Sequence, residues 1–247
     1  MATSVTTTFR RLHTIDLARA LAIVLMVGFH FVYDLRFFGY VDFNIPDGAG
    51  WAQFRAMIVG LFLLCAGSSL ALAHGRHIQW KKFTRRQFQI VAGAAAVSAA
   101  SWLTVPNNYI YFGILHFIAA ASLVALALVK IPRASLLAGC AIILASWASL
   151  VSGRWPFTPI DYLLPAYSND YVSVFPWLGV LLIGVWLGHQ RFFQCDPLAR
   201  AFAENRAVQV LGQHSLLIYL LHQPIFFAGF YAVSIGCGWA GFACSPQ

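Results

Sequence analysis

The sequence predicts an all-α protein: a polytopic membrane helix bundle of about seven transmembrane helices that forms a single domain over residues 1–247. Of its 247 residues, 60% are hydrophobic and only 10% are charged, whereas an average soluble domain carries about 25% charged residues. The mean hydropathy of +0.72 agrees with this. Such a chain has too little polar surface for a soluble enzyme, a secreted disulfide scaffold or a disordered protein.

Seven apolar stretches are long enough to cross the hydrocarbon layer of ~30 Å, for which about 20 helical residues are needed. Helices are expected because lipid offers no hydrogen-bond partner to an unpaired backbone amide. The predicted spans lie near residues 16–37, 51–73, 87–105, 109–129, 134–152, 173–189 and 213–235. A short surface helix is predicted over residues 196–206.

Basic residues between the spans predict the orientation. Twelve of the 16 Lys and Arg residues lie on one side of the predicted bundle, five of them in the loop from Arg76 to Arg86. The opposite loops contain Asp42, Asp47, Asp161 and Asp170. The positive-inside rule therefore puts the N-terminus in the cytoplasm and the C-terminus outside. Since topology explains the net charge of +8, nucleic acid is not an expected partner.

The first span carries an unusual set of ionisable residues on one face. At 100° per residue, Asp16, Arg19, His30 and Asp34 form a stripe along the helix. Charged groups inside a membrane cost roughly 2.5–3.5 kcal/mol each on insertion scales, and they usually face a bundle interior or a wet cavity. This stripe is therefore a candidate functional site.

Depth along the helix suggests separate roles for these residues. Arg19 lies near the cytoplasmic end, where a cation suits an anionic ligand, and His30 lies about 16 Å further out. Asp34 is one turn beyond His30, so its carboxylate is predicted to accept a hydrogen bond from one imidazole nitrogen and leave the other as a base. Two structural roles stay open: Asp16 and Arg19 as interfacial anchors, and His30 as a bridge to a neighbouring helix.

Several motifs together resemble a known family. The segment Ile15-Asp-Leu-Ala-Arg-Ala-Leu-Ala-Ile-Val-Leu-Met-Val-Gly-Phe-His is similar to the opening of the heparan-α-glucosaminide N-acetyltransferase catalytic-domain-like family, and bacterial members share the His-Phe-Val-Tyr-Asp segment that ends the helix. Further similar stretches are Leu61-Phe-Leu-Leu-Cys-Ala-Gly-Ser-Ser-Leu, Gly113-Ile-Leu-His-Phe-Ile, Phe175-Pro-Trp-Leu-Gly-Val-Leu-Leu-Ile-Gly and Leu211-Gly-Gln-His-Ser-Leu-Leu-Ile-Tyr-Leu-Leu-His-Gln-Pro.

The resemblance implies an integral membrane acyltransferase. It would move an acyl group, expected to be acetyl, from cytoplasmic acyl-CoA to an extracytoplasmic glycan or amino-sugar acceptor. An arginine followed eleven residues later by a histidine also recurs in the wider superfamily of sugar-modifying membrane acyltransferases, which Arg19 and His30 match. One departure stands out: the lysosomal enzyme has asparagine at the position aligned with His30.

Other polar residues complete the predicted site. His116 lies at a depth similar to that of His30 and is assigned with His30 and Asp34 to catalysis, although a lone membrane histidine is often a structural bridge. Arg85 and Arg86 are assigned with Arg19 to CoA phosphates; the alternative is that this basic loop only sets the topology and meets anionic lipid. Substrate contacts are assigned to Tyr33, Asp161 and His222.

Two other functions stay open at this point. A proton-coupled transporter also uses buried ionisable groups, and a membrane haem protein needs two axial ligands, for which His30 and His116 share a suitable depth. The expected partners are membrane lipids, acyl-CoA and an extracytoplasmic glycan acceptor, with no metal, and the expected location is a bacterial inner membrane. Self-association and a disulfide between Cys237 and Cys244 are left open.

Overall fold

The computed structural model describes residues 13–196 and 205–239, and these ranges fold into helices without a strand. Helix accounts for 74% of the structure, which confirms the predicted all-α class. The helices are α1 (His13–Phe37), α2 (Trp51–His74), α3 (Trp80–Thr104), α4 (Ile114–Leu128), α5 (Pro132–Trp147), α6 (Trp177–Gly188), α7 (Arg191–Cys195), α8 (Arg206–Gln213) and α9 (Ser215–Trp239), with short 3₁₀ helices at Pro106–Asn108 and Thr158–Leu163.

Within the described residues, three helices are long and apolar enough to cross a membrane: α1, α2 and the stretch Ser215–Gly236 of α9. Helices α4, α5 and α6 have 15, 16 and 12 residues, so they are about 18–24 Å long, less than the ~30 Å of hydrocarbon. They lie within the fourth, fifth and sixth predicted spans or begin close to them. The count of seven spans and the orientation of the bundle stay predictions.

Helix α3 begins earlier than the sequence predicts. The basic residues from Lys81 to Arg86 are expected in a loop, but the helix begins at Trp80 and includes them in its first two turns. Two physical reasons explain the difference. Straight-chain Lys and Arg are good helix formers, and Phe83, which is buried, fixes these turns to the main apolar core.

Two sequence predictions fall outside the described residues. The surface helix predicted over 196–206 lies mostly in residues 197–204, and the disulfide question concerns Cys244 and the side chain of Cys237.

Glycines bring α2 and α6 into the closest helix contact of the bundle. A Cβ atom added to Gly67 would lie 2.1 Å from the carbonyl oxygen of Leu181, and one added to Gly188 would lie 2.6 Å from that of Ser68. The Ser68 hydroxyl also donates a hydrogen bond of 2.9 Å to the Gly184 carbonyl across the interface. Small residues and an interhelical hydrogen bond are typical of packed membrane helices.

Gly67→Ala is therefore expected to lower the free energy of unfolding by about 1–3 kcal/mol, because the added methyl group overlaps backbone that cannot move away. The matched control is Gly28→Ala in α1, where an added Cβ meets nothing within 4 Å and alanine is the better helix former. The thermal unfolding midpoints of the two variants in detergent check this; equal midpoints would contradict the packing described here.

The start of α1 is fixed by a carboxylate from the segment that follows α7. Asp196 accepts hydrogen bonds from the backbone N–H groups of His13 and Thr14, at 2.9 and 2.8 Å, and from the Thr14 hydroxyl at 2.7 Å. Burial acts to raise the pKa of Asp196, but these three hydrogen bonds outweigh it and hold the pKa below its usual value. The start of α1 is fixed here, and α1 packs against α2, α8 and α9. These contacts determine which neighbouring helices its polar stripe faces.

Candidate active site

The polar stripe of α1 meets a polar segment of α9 inside the bundle. The imidazole rings of His30 and His222 lie edge to face with their centroids 4.8 Å apart. One turn further along α1, Asp34 Oδ1 accepts a hydrogen bond of 3.4 Å from the side-chain amide of Gln223. Asp34 is fully buried and His222 is 7% exposed. These four residues, His30, Asp34, His222 and Gln223, are called the histidine–carboxylate cluster below.

Both histidines direct the same ring nitrogen to backbone. His30 Nδ1–H donates to the Met26 carbonyl oxygen at 3.0 Å, and His222 Nδ1–H donates to the Tyr219 carbonyl oxygen at 2.7 Å. In each neutral ring Nε2 is consequently the unprotonated nitrogen, which can accept a proton. Two bases of this kind are thus fixed side by side between α1 and α9.

The predicted hydrogen bond between His30 and Asp34 is not the one formed, so that expectation is corrected. The imidazole of His30 points back along α1 to the carbonyl one turn earlier, while the carboxylate of Asp34 points to Gln223 on α9. The cause is the position of α9. Gln223 on this helix offers Asp34 an amide donor, which the sequence of α1 by itself does not reveal. His30 and Asp34 do lie on the same side of α1, as the 3.6-residue period predicts.

Three buried polar atoms in the cluster have no hydrogen-bond partner in the described part of the chain: Asp34 Oδ2, His222 Nε2 and Gln223 Oε1. A buried polar atom left without a partner costs about 1–3 kcal/mol, and buried polar groups in folded proteins are overwhelmingly paired. Three such atoms on two adjoining helices make the cluster a candidate site for a polar ligand.

Comparison with family models identifies the chain. The model described as "Heparan-alpha-glucosaminide N-acetyltransferase, catalytic" matches residues 11–224. The chain belongs to this family. The matched range contains all of α1 from His13 and the part of α9 up to Pro224, so it includes the whole histidine–carboxylate cluster.

Membership in the heparan-α-glucosaminide N-acetyltransferase family makes the chain an integral membrane acetyltransferase. Enzymes of this type use acetyl-CoA as the donor. Comparisons with curated proteins and with solved structures gave no match. Within the described ranges, no group of three or more His, Cys, Asp or Glu side chains is arranged to hold a metal ion.

The cationic residues that the sequence assigns to CoA phosphates lie toward the His13 end of the bundle. Arg19 forms an ion pair of 3.1 Å with Asp16 and donates a second hydrogen bond to the Ser69 hydroxyl on α2, yet its side chain stays 30% exposed. Arg86 on α3 lies within electrostatic range of Arg19, and Arg85 beside it is exposed. The structure therefore brings Arg19 and Arg86 toward each other from different helices.

His116 has a different environment from His30. Its Nδ1 accepts a hydrogen bond of 3.2 Å from the Gly113 N–H, which caps α4, and its Nε2–H contacts the Ser98 hydroxyl at 3.1 Å. The Ser98 hydroxyl in turn donates to the Ile110 carbonyl. One ring nitrogen thus caps α4 and the other joins α4 to α3, so this geometry favours a structural role for His116 over a catalytic or haem-ligating one.

The remaining predicted substrate residues are separated by the fold. Tyr33 lines a cavity at the Phe37 end of α1. Asp161 lies in the second 3₁₀ helix, where its carboxylate is 2.7 Å from the guanidinium of Arg154. Of the residues assigned to substrate, the structure brings only His222 against His30.

A carboxylate that sequence reasoning treats as a solvated loop residue is built into the bundle. Asp170 Oδ2 accepts a hydrogen bond of 3.2 Å from the Tyr219 hydroxyl on α9, and the backbone N–H of Ile114 at the start of α4 also bonds to Asp170. Tyr219 packs against all three apolar cores of the bundle. The only sequence signal for this contact is the tyrosine one turn before His222.

Burial raises the pKa of Asp170 to about 6, and the hydrogen bonds from Tyr219 and Ile114 reduce this rise. A carboxyl group with a raised pKa binds its proton more tightly in the folded protein than in the unfolded chain. Stability should therefore decrease as the pH rises from about 4 to 6. Asp170→Asn is expected to flatten this part of a plot of unfolding midpoint against pH, while Asp42→Asn, at an exposed position, should leave the slope unchanged.

Proposed function

We propose that the chain transfers an acetyl group from acetyl-CoA, bound from the cytoplasm, to an amino or hydroxyl group of a glycan on the opposite side of the membrane. The observation that carries this proposal is the contact between His30 and the buried His222, which offers unprotonated ring nitrogens beside unpartnered polar atoms of α1 and α9. Membership in an acetyltransferase family supports the reaction type.

The donor end of the proposed site is formed by Arg19 and Arg86. Asp16 neutralises only one of these two cations, so their net charge suits the phosphates of CoA. Eleven residues separate Arg19 from His30, which corresponds to about 16 Å along α1. An extended pantetheine arm spans this distance and carries the thioester toward the histidine pair. Arg85 is proposed as a further, more peripheral phosphate contact.

The histidine pair supplies the proton transfers. An unprotonated Nε2 takes the proton from the acceptor amine or hydroxyl as the new C–N or C–O bond forms and the thioester C–S bond breaks. The resulting imidazolium then returns this proton to the departing thiolate of CoA. The same nitrogen also suits a two-step route. It attacks the thioester carbonyl and expels the CoA thiolate, and the acetyl group then passes from the imidazole to the acceptor, whose proton goes to the thiolate.

Separated compartments test the proposal directly. Proteoliposomes receive radiolabelled acetyl-CoA outside and methyl α-glucosaminide, the sugar unit in the family's name, inside. Label should appear on the enclosed sugar, and His30→Ala should prevent this. Uptake of labelled solute without acetylation would instead support a transporter, and absence of label from both amino and hydroxyl acceptors would refute the proposed reaction.

The proposed location is a bacterial inner membrane, because the His-Phe-Val-Tyr-Asp segment at the end of α1 resembles bacterial members of the family. The acceptor would then be a polymer of the cell envelope. A mass-spectrometric comparison of envelope polymers with and without the protein would show the loss of an acetyl group and identify the acceptor.

A further inference from the structure

A cavity of about 420 Å³ lies at the Phe37 end of α1. This volume is within the range of small-molecule sites, roughly 300–1,000 Å³. Its walls come from α1, the α1–α2 loop, the first 3₁₀ helix and the loop that precedes α6. The lining residues that matter for recognition are Tyr33, Asn44, Asp47, Asn108, Tyr167 and Asn169.

Two walls of the cavity, the first 3₁₀ helix and the loop that precedes α6, come from distant parts of the chain and are joined by a hydrogen bond. The backbone N–H of Asn169 donates a hydrogen bond of 3.3 Å to the carbonyl oxygen of Asn108. The loop that carries Asn169 is also fixed at the next residue, where Asp170 accepts the hydrogen bond from Tyr219. The asparagine side chains on these walls therefore have a defined spacing rather than belonging to independent loops.

The lining has the chemistry of a site for an uncharged polyhydroxylated ring. Each asparagine amide both donates and accepts hydrogen bonds, which suits neighbouring hydroxyl groups, and tyrosine rings present flat apolar faces. The lining contains one cationic side chain, Arg36, and one anionic side chain, Asp47. Arg36 donates to the Ile45 carbonyl of the wall, and Asp47 lies 3.6 Å from Arg55. No excess of positive charge is available in the lining for an anionic substituent.

The cavity lies next to the histidine–carboxylate cluster along two different elements. On α1, Tyr33 follows His30 by three residues, an axial rise of about 4.5 Å. On α9, the hydroxyl of Tyr219 donates the hydrogen bond to Asp170. The backbone carbonyl oxygen of the same tyrosine accepts the hydrogen bond from His222 Nδ1–H. A ring bound in the cavity would thus be adjacent to the paired imidazoles.

We propose that this cavity binds the terminal sugar of the acceptor, and that it selects a ring without sulfate or phosphate. The assignment of the sugar as an acceptor rests on the proposed acetyl transfer. Binding of the sugar to the cavity does not require that reaction, so the two proposals are separable by experiment.

Equilibrium binding of tritiated methyl α-glucosaminide to the full chain in lipid nanodiscs, without acetyl-CoA, tests the cavity. Asn108→Ala and Asn169→Ala are each expected to raise Kd about tenfold, the effect of one lost hydrogen bond. The matched control is Asn107→Ala, an exposed neighbour in the same 3₁₀ helix that does not line the cavity; its Kd should stay within about twofold of the parent value.

The 6-O-sulfate of the same glucosaminide tests the charge argument and is expected to bind at least about tenfold more weakly. Absence of saturable binding, equal effects of Asn107→Ala and Asn108→Ala, or tighter binding of the sulfate would overturn the assignment. Binding without acetyl transfer would refute the proposed function and leave the cavity assignment in place. Transfer with an unchanged KM for the glucosaminide in both cavity variants would refute the cavity assignment alone.

Discussion

His30→Ala is expected to lower the rate of acetyl transfer by about 10²–10⁴-fold, the usual contribution of a positioned acid–base group. The structure gives the reason: His30 Nδ1–H is fixed to the Met26 carbonyl, so Nε2 is held unprotonated beside His222. The measurement is the initial rate of label transfer from acetyl-CoA, normalised to folded protein by size-exclusion chromatography.

The pair geometry adds a second expectation. His222→Ala should reduce transfer by a similar factor, and the double variant should lose little more than either single variant, because residues that act as one unit show strongly non-additive effects. The control is His116→Ala, which removes the hydrogen bond to Ser98 on α3 and the hydrogen bond that caps α4. It should lower the unfolding midpoint while the rate per folded molecule stays within a few-fold. Loss of transfer in His116→Ala with normal transfer in His30→Ala would reverse the assignment.

Local sequence patterns predicted the main apolar helices and the stripe on α1, but not the early start of α3 or helix α8. The apolar runs predict the positions of the main helices, because membrane-length apolar segments form helices whatever their neighbours are. The 3.6-residue period places His30 and Asp34 on the same side of α1, and the structure turns this side toward α9. The family motifs in α1 and at the end of the matched range contain the four cluster residues.

Contacts between distant helices could not be predicted in the same way. Depth along a helix follows from residue number, but the rotation of one helix relative to another depends on packing. The sequence therefore does not show whether His116 or His222 lies closer to His30. In the structure His222 contacts His30, while His116 caps α4. Asp170 is a similar case, since a loop aspartate looks solvated until the partner hydroxyl on α9 is known.

Asp34→Asn is expected to lower acetyl transfer by about 10–10²-fold without destabilising the protein. Asparagine has the same shape, and its carbonyl oxygen can keep the hydrogen bond from Gln223. The amide nitrogen then replaces Oδ2, the buried oxygen without a partner, so a donor replaces an acceptor where a polar ligand is expected. A hydrogen bond to a charged group is worth about 1.5–3 kcal/mol, which corresponds to this change in rate.

Gln223→Leu separates two explanations for such a loss. This variant removes the hydrogen bond to Oδ1 but leaves the Asp34 carboxylate and its Oδ2 in place, so transfer should fall only a few-fold if Oδ2 meets the substrate. If Asp34 serves only as the partner of Gln223, Gln223→Leu should be the more impaired variant, because Asp34→Asn keeps this hydrogen bond. Asp42→Asn, at an exposed position, controls for the loss of a carboxylate. Unfolding midpoints of all three variants close to that of the parent would show that the rates report on the cluster and not on its folding. Full activity of Asp34→Asn would remove Asp34 from the proposed mechanism.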